Sequence, residues 1–205
     1  MRVIVLTIDQ RGSRTAADAV PALLTRLAAL VPHPVLGFER TAGDEAQGVL
    51  DDPVAVVDVT ATLLAEEAWN IGIGVGPVQT PLPDSTRAGR GPAFVSAREA
   101  VTRAKSGAHH LSVVGDDRYR TQQVETVLWL ISGILRRRTD RGREVQQVLA
   151  EGLSHADAGR RLGISQSAVS QRAQAAGLVD EQRGRILAAQ LLADALSGPT
   201  GEQAR

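Results

Sequence analysis

The sequence predicts an α+β protein: a mixed strand-and-helix domain over roughly its first 115 residues, then an all-helical remainder. Three observations carry that expectation. Apolar, β-branched runs alternate with helically spaced stretches as far as Val114. From Arg120 onward no strand pattern recurs. The composition is that of a globular chain: 205 residues, 43% hydrophobic, 22% charged and no Cys. It supports a core and excludes a disulfide framework or a thiolate metal site.

The elements follow in order. Residues 2–8 read as a buried strand. Residues 14–31 place Ala16, Ala19, Val20, Leu23, Leu24, Leu27 and Leu30 on one helical face and stop at Pro32 and Pro34. Val35 to Thr41, a turn at Gly43-Asp44 and Ala46 to Leu50 read as a hairpin. Residues 53–68 form a helix on Val56, Val57, Val59, Leu63 and Leu64. Ile71-Gly72-Ile73-Gly74-Val75-Gly76-Pro77 reads as a strand of small residues, where the glycines allow close packing or close approach of a ligand. After a Pro-, Gly- and Arg-rich loop at 79–92 come a helix at 93–106 and a strand from Leu111 to Val114. Residues 120–138 form an apolar helix ending in Arg136-Arg137-Arg138. Helices follow at about 141–152, 154–162, 166–176 and 182–197, before a polar tail. The expected domains are 1–116, a connector helix 117–138, a DNA-binding domain 139–180, a packing or dimer helix 181–197 and a tail 198–205.

The sharpest local pattern runs from Ser154 to Arg172. Ser154 suits an N-cap with Asp157 in the first turn. Ala158 and Leu162 face inward, Gly163 suits a left-handed stop, Ile164 plugs the junction, Ser165 caps a second helix and Val169 packs back. Gly159 sits where two helices cross closely, although Ala would favour helix more. These features match a helix-turn-helix, whose second helix enters the major groove of DNA. Ser165, Gln166, Ser167, Ser170 and Gln171 then face bases, since Gln pairs with adenine and Ser bonds base edges or phosphate. Arg160, Arg161 and Arg172 are placed for phosphate contacts, which position without specifying. The alternative is a tight helical hairpin with a solvated polar face.

The charge distribution agrees. The chain is formally neutral, with 23 basic and 23 acidic residues. Residues 136–185 hold ten Arg and six acids, net +4, so the remainder is −4. The isolated segment 136–205 is therefore expected to bind DNA with steep salt dependence.

In the N-terminal domain three motifs recur in a recognisable order. Asp9-Gln10-Arg11-Gly12-Ser13 closes the first strand, and Arg40-Thr41-Ala42-Gly43-Asp44-Glu45 forms the hairpin turn. The Gly72–Pro77 strand precedes Gly91-Pro92-Ala93-Phe94-Val95-Ser96-Ala97-Arg98-Glu99-Ala100. This order resembles the SatD-like family of bacterial proteins, some of which carry a C-terminal helix-turn-helix. More distantly it resembles the catalytic domain of class III nucleotidyl cyclases, which implies a ferredoxin-like α/β sandwich. The resemblance implies that Asp9 and Asp44 hold Mg²⁺ on a nucleotide triphosphate, and Mg²⁺ suits such carboxylates. Gly12 and Ser13 would offer amides to phosphate ahead of the helix at 14. Arg40 falls where the cyclases place a base-selecting Lys. The Asn and Arg that steady the cyclase transition state are missing: Val95 and Glu99 stand there, with Arg98 one place off, and Ala88 replaces an adenine-reading Asp. The domain is therefore read as non-catalytic. Asp9 and Asp44 also fit plain strand-end and turn roles.

Other chemistry finds little support. Gly72, Gly74 and Gly76 lack dinucleotide-loop spacing, and His33, His109, His110 and His155 lack ligand partners and read as surface residues. No nucleophile elbow occurs. Aromatics at 2% argue against a base-stacking platform for single strands. No apolar run suits a membrane span and the N-terminus reads as a strand, so a cytoplasmic protein is expected. The expected function is that of a homodimeric regulator that reads double-stranded DNA, its N-terminal domain either sensing a nucleotide with Mg²⁺ or only mediating assembly, with the 120–138 and 182–197 helices as candidate dimer surfaces. The alternative is a Mg²⁺-dependent nucleotide-processing enzyme with a helical assembly module.

Overall fold

The structure, a computed structural model, describes residues 1–198. It is a mixed α+β protein with one five-stranded sheet and eight α-helices among the described residues. The strands are β1 (Arg2–Gln10), β2 (Leu36–Arg40), β3 (Glu45–Leu50), β4 (Trp69–Pro77) and β5 (Leu111–Gly115). They lie in the order β2-β3-β1-β4-β5, antiparallel except for the parallel β4–β5 pair. The helices are α1 (Val20–Leu30), α2 (Pro53–Glu66), α3 (Pro92–Ser106), α4 (Arg118–Arg137), α5 (Asp140–Ala150), α6 (His155–Leu162), α7 (Gln166–Ala175) and α8 (Leu178–Ser197).

Most elements lie within a few residues of their expected bounds. Helix α1 differs, because it starts at Val20 instead of residue 14. Gly12 takes a left-handed φ of 67°, and Thr15 and Ala16 turn back to its carbonyl. The Gln10 side chain then accepts from Ala19 N at 2.9 Å, which holds the loop off the helix. Apolar spacing could not reveal this, because Ala16 fits a helical face whether or not the turn before it is helical. Helix α8 starts four residues earlier than expected, directly after Gly177 with φ 66°.

The sheet is covered differently on its two faces. Val3 and Val5 point to one face and pack with Val49 beneath Ala93 and Ala97 of α3. The β4 glycines make this possible. A Cβ on Gly72 would lie 2.3 Å from Val101 N, and one on Gly74 would lie 2.3 Å from Ala93 O and Ala97 N. Ile4, Leu6 and Ile8 point the other way, into the main core with Ile71 and Ile73. That core also takes Val124, Leu128, Ile131 and Leu135 of α4 and Ala188, Leu192 and Ala195 of α8.

The two long apolar helices therefore complete the sheet domain's core, and most of their stripe is covered within the chain. Arg2 reinforces this, reaching the α8 carbonyl of Leu196 at 2.8 Å and the Asp116 carboxylate at 2.7 Å. Of the stripe residues, Leu130, Ile186 and Leu187 remain exposed. The edge strand β5 is capped by α4, where Glu125 accepts from Val113 N at 2.7 Å and Trp129 donates to Leu111 O at 3.1 Å. Among the described residues no helix is long and apolar enough to cross a membrane. The expected tail at 198–205 lies outside the described residues, apart from Gly198.

Candidate functional site

Helices α5, α6 and α7 enclose a small core of their own: Val145, Val148, Ala158, Val169 and Ala173. Ser154 Oγ accepts from Asp157 N at 3.2 Å and caps α6, and Ser165 Oγ accepts from Ala168 N at 3.1 Å and caps α7. Gly163 ends α6 in the left-handed region, with φ 66°. Gly159 has a steric reason to be glycine. A Cβ there would lie 2.8 Å from the Ile164 carbonyl and 3.3 Å from Gln166 N, in the turn that crosses it.

Ser165, Gln166, Ser167 and Gln171 are exposed at the start and along the open side of α7. Ser170 is half-buried, and its hydroxyl meets His155 Nδ1 at 2.9 Å. His155 is exposed, as expected, and joins the open face of α7 through this contact. Its signal in the sequence is position: it is the first residue of α6, against which α7 folds. Arg160 is exposed but paired with Asp157, and Arg161 is paired with Glu151. Arg172 is half-buried with no ion pair among the described residues.

The basic run 136–138 is not a uniform surface patch. Arg136 pairs with Glu67 at 2.6 Å. Arg138 is buried, its side chain 2% exposed, in an ion pair with Glu181 at 6%. Arg138 also donates to Ala176 O at 3.1 and 3.0 Å and to Gln146 Oε1 at 2.7 Å. Glu181 in turn accepts from Arg185, which reaches Asp58 on α2 at 3.1 Å. This chain of charges joins α4, α5, the end of α7, α8 and α2. Burial alone would raise the Glu181 carboxyl, but the hydrogen bonds from Arg138 and Arg185 outweigh it and hold the group below its ordinary range.

A second cluster lies at the end of β1. Asp9, Gly12, Ser13 and Asp44, expected together from the sequence, line one cavity of about 330 Å³. Arg40 is not among its lining residues and pairs instead with the exposed Asp18. Gly12 and Ser13 do not sit at a helix N-terminus, since α1 begins at Val20. The structure adds Asn70, Lys105, His110, Arg11 and Arg14 to the cavity.

Lys105 arrives there by register. Ala93, Ala97, Val101 and Lys105 recur every fourth residue along α3. The first three ride over the β4 glycines, so the fourth reaches the strand end, where Asn70 pairs with Asp9. Lys105 Nζ lies 2.7 Å from Asp9 Oδ1, and Asn70 Nδ2 donates to Asp9 Oδ2 at 3.0 Å. His110 Nδ1 meets Asn70 Oδ1 at 3.0 Å. Burial, with Arg11 and Arg136 nearby, pushes the His110 imidazole below its ordinary pKa. His110 is thus half-buried in the cavity wall, not a lone surface residue.

These residues do not suit Mg²⁺ as arranged. Both Asp9 oxygens are engaged by nitrogen donors, and an ammonium occupies the space beside the carboxylate. Comparison of the chain with known protein families and with curated proteins finds no match.

Proposed function

We propose that the protein is a transcriptional regulator of the SatD-like kind, which reads double-stranded DNA through α6 and α7 and carries a non-catalytic, cyclase-like domain as its sensor. The observation that supports this best is the capped pair α6–α7. It rests on its own core, crosses tightly at Gly159, turns through the left-handed Gly163, and leaves Gln166, Ser167 and Gln171 open along one side of α7. A helix presented in this way fits the major groove, with Ser165 and the α7 amides near a phosphate. Arg160, Arg161 and Arg172 flank it for backbone contacts.

The sheet domain's reading rests on its strand order. Strands β1 to β4, with α1 and α2 between them, follow a βαββαβ path with neighbours β4-β1-β3-β2, as in ferredoxin-like sandwiches. Its cavity at Asp9 and Asp44 is the place for a nucleotide-like effector. The protein works as a cytoplasmic homodimer, one α7 per half-site. Its contact draws on the apolar residues left exposed beside the α2–α8 groove of about 490 Å³, Val54 and Ile186 first. An effector would regulate by preferring one arrangement of the DNA-reading heads.

The test is recovery of genomic DNA bound by the full-length chain, with and without nucleotide, followed by titration of the recovered site. Gln166→Ala with Gln171→Ala should weaken that site by about 1–3 kcal/mol per lost base pair contact, while leaving non-specific binding in place. Retained sequence preference in the double variant would show that α7 is not the reading helix.

A further inference from the structure

The cavity at the end of β1 already contains a cation, and it belongs to the chain. Asp9 is 7% exposed, with Lys105 Nζ at 2.7 Å on one oxygen and the Asn70 amide at 3.0 Å on the other. Such a buried carboxylate needs a positive partner, and Lys105 supplies it. The ammonium has three donors, and its contact with Asp9 engages one. The Lys105 side chain is 49% exposed, so the remaining donors can face the cavity. The Asp9 hydrogen bond first, with the charges of Glu45 and Asp44 behind it, raises the pKa of Lys105. Lys105 therefore stays charged across the physiological range.

A divalent ion at Asp9 would have to expel this ammonium and the Asn70 amide together, and would then sit beside the displaced charge. The remaining wall favours anions. Arg11 and Arg14 line the same cavity and form no ion pair among the described residues, Arg11 giving one donor to Glu67 O at 2.5 Å. Gly12, with φ 67°, turns the backbone of that wall around the opening. Among the lining residues, with Asp9 balanced by Lys105, the two arginines outweigh Asp44, and Glu45 acts on Lys105 from outside the lining.

We infer that Lys105 stands in the place of a divalent cation, and that this cavity holds a polyphosphate group without metal. The inference deepens the sensor reading above and rests on it for its biological use, though not for the binding itself.

Calorimetry of the full-length chain with inorganic triphosphate in EDTA tests it. Saturable binding is expected. It should weaken at least tenfold in Lys105→Gln, whose amide can still bond Asp9, and Mg²⁺ should not strengthen it. A thermal melt of Lys105→Gln near that of the parent shows that the loss is not one of folding. A second arm follows Mn²⁺ by its electron paramagnetic resonance. The parent chain should leave Mn²⁺ free, and Lys105→Gln should acquire a site that Asp9→Asn removes. Triphosphate binding that requires Mg²⁺, absence of binding in EDTA, undiminished binding by Lys105→Gln, or a Mn²⁺ site in the parent that Asp9→Asn abolishes would each overturn the inference. No DNA enters these measurements, so they fail or succeed independently of the DNA-reading proposal.

Discussion

Single residues decide several of these sites. Gly159 is the clearest, because its missing Cβ lets the turn at Ile164–Gln166 cross α6. Ala is the better helix former, yet Gly159→Ala should destabilise the α5–α7 unit by about 1–3 kcal/mol, the usual cost of overpacking a close contact. A denaturant melt measures this, and an unchanged midpoint would show that the turn gives way. The sequence already marked Gly159 as a close-crossing position. The backbone atoms it makes room for became visible only with the fold. Lys105 was less legible. In isolation it is one charge in a polar helix, and its role follows from a four-residue register that matters only once α3 lies on the β4 glycines.

At the scale of elements, the apolar helices α4 and α8 show what a stripe can and cannot say. Their periodicity predicted helices with buried faces, and such faces serve a dimer or a single chain equally well. In the fold most of those residues enter the sheet's core, so a fragment beginning at residue 136 would expose Ala188, Leu192 and Ala195. Leu192→Ala should therefore cost about 2–5 kcal/mol and lower the melting temperature of the sheet domain, not only that of the helical end. Near-ultraviolet signals from Trp69 and Trp129, both packed against that core, can follow the sheet domain.

The joint between elements is sensitive to acid. Glu181 is held below its ordinary carboxylate pKa, so its contribution to stability is full above that value. The contribution is lost as pH falls from there through the depressed folded value. Melts from pH 6 downward should show a fall below about pH 4.5 that Glu181→Gln reduces, and equal pH profiles for the two chains would remove Glu181 as the source.

At the scale of the whole molecule, neutrality hides an uneven distribution, and the fold refines it further. Part of the excess in residues 136–185 is consumed by acids of the sheet domain: Arg136 by Glu67, and Arg185 by Asp58. Arg137, Arg141, Arg172 and Arg183 form no ion pair among the described residues, which leaves them for phosphate under the proposed function. In the full-length chain, Arg172→Ala should weaken DNA binding about equally across sequences and lower the log–log salt slope by about 1. A loss confined to one sequence would instead make Arg172 a base reader. The Arg138–Glu181–Arg185–Asp58 chain of charges ties the end of α4 through α8 to α2 of the sheet domain. Arg138→Met should loosen the two ends and spread the melting transition, while leaving the exposed Gln166, Ser167 and Gln171 of α7 in place.

The sequence by itself determined the elements, the alternation of strand and helix, and the two caps and the close turn of α6–α7, whereas the grouping of Asp9, Gly12, Ser13 and Asp44 came only from the family resemblance. The elements, caps and turn rest on local chemistry: apolar periodicity, hydroxyl caps, and glycine where φ is positive or space is short. Tertiary structure decided the rest, because burial and charge pairing depend on residues far apart in the chain. It moved the start of α1, set Arg40 against Asp18, turned α4 and α8 inward, buried Arg138 and set Lys105 against Asp9. A carboxylate's partner is chosen by whichever donor the packed helices bring within 3 Å, and residues 9 and 105 meet only after the sheet and α3 have formed.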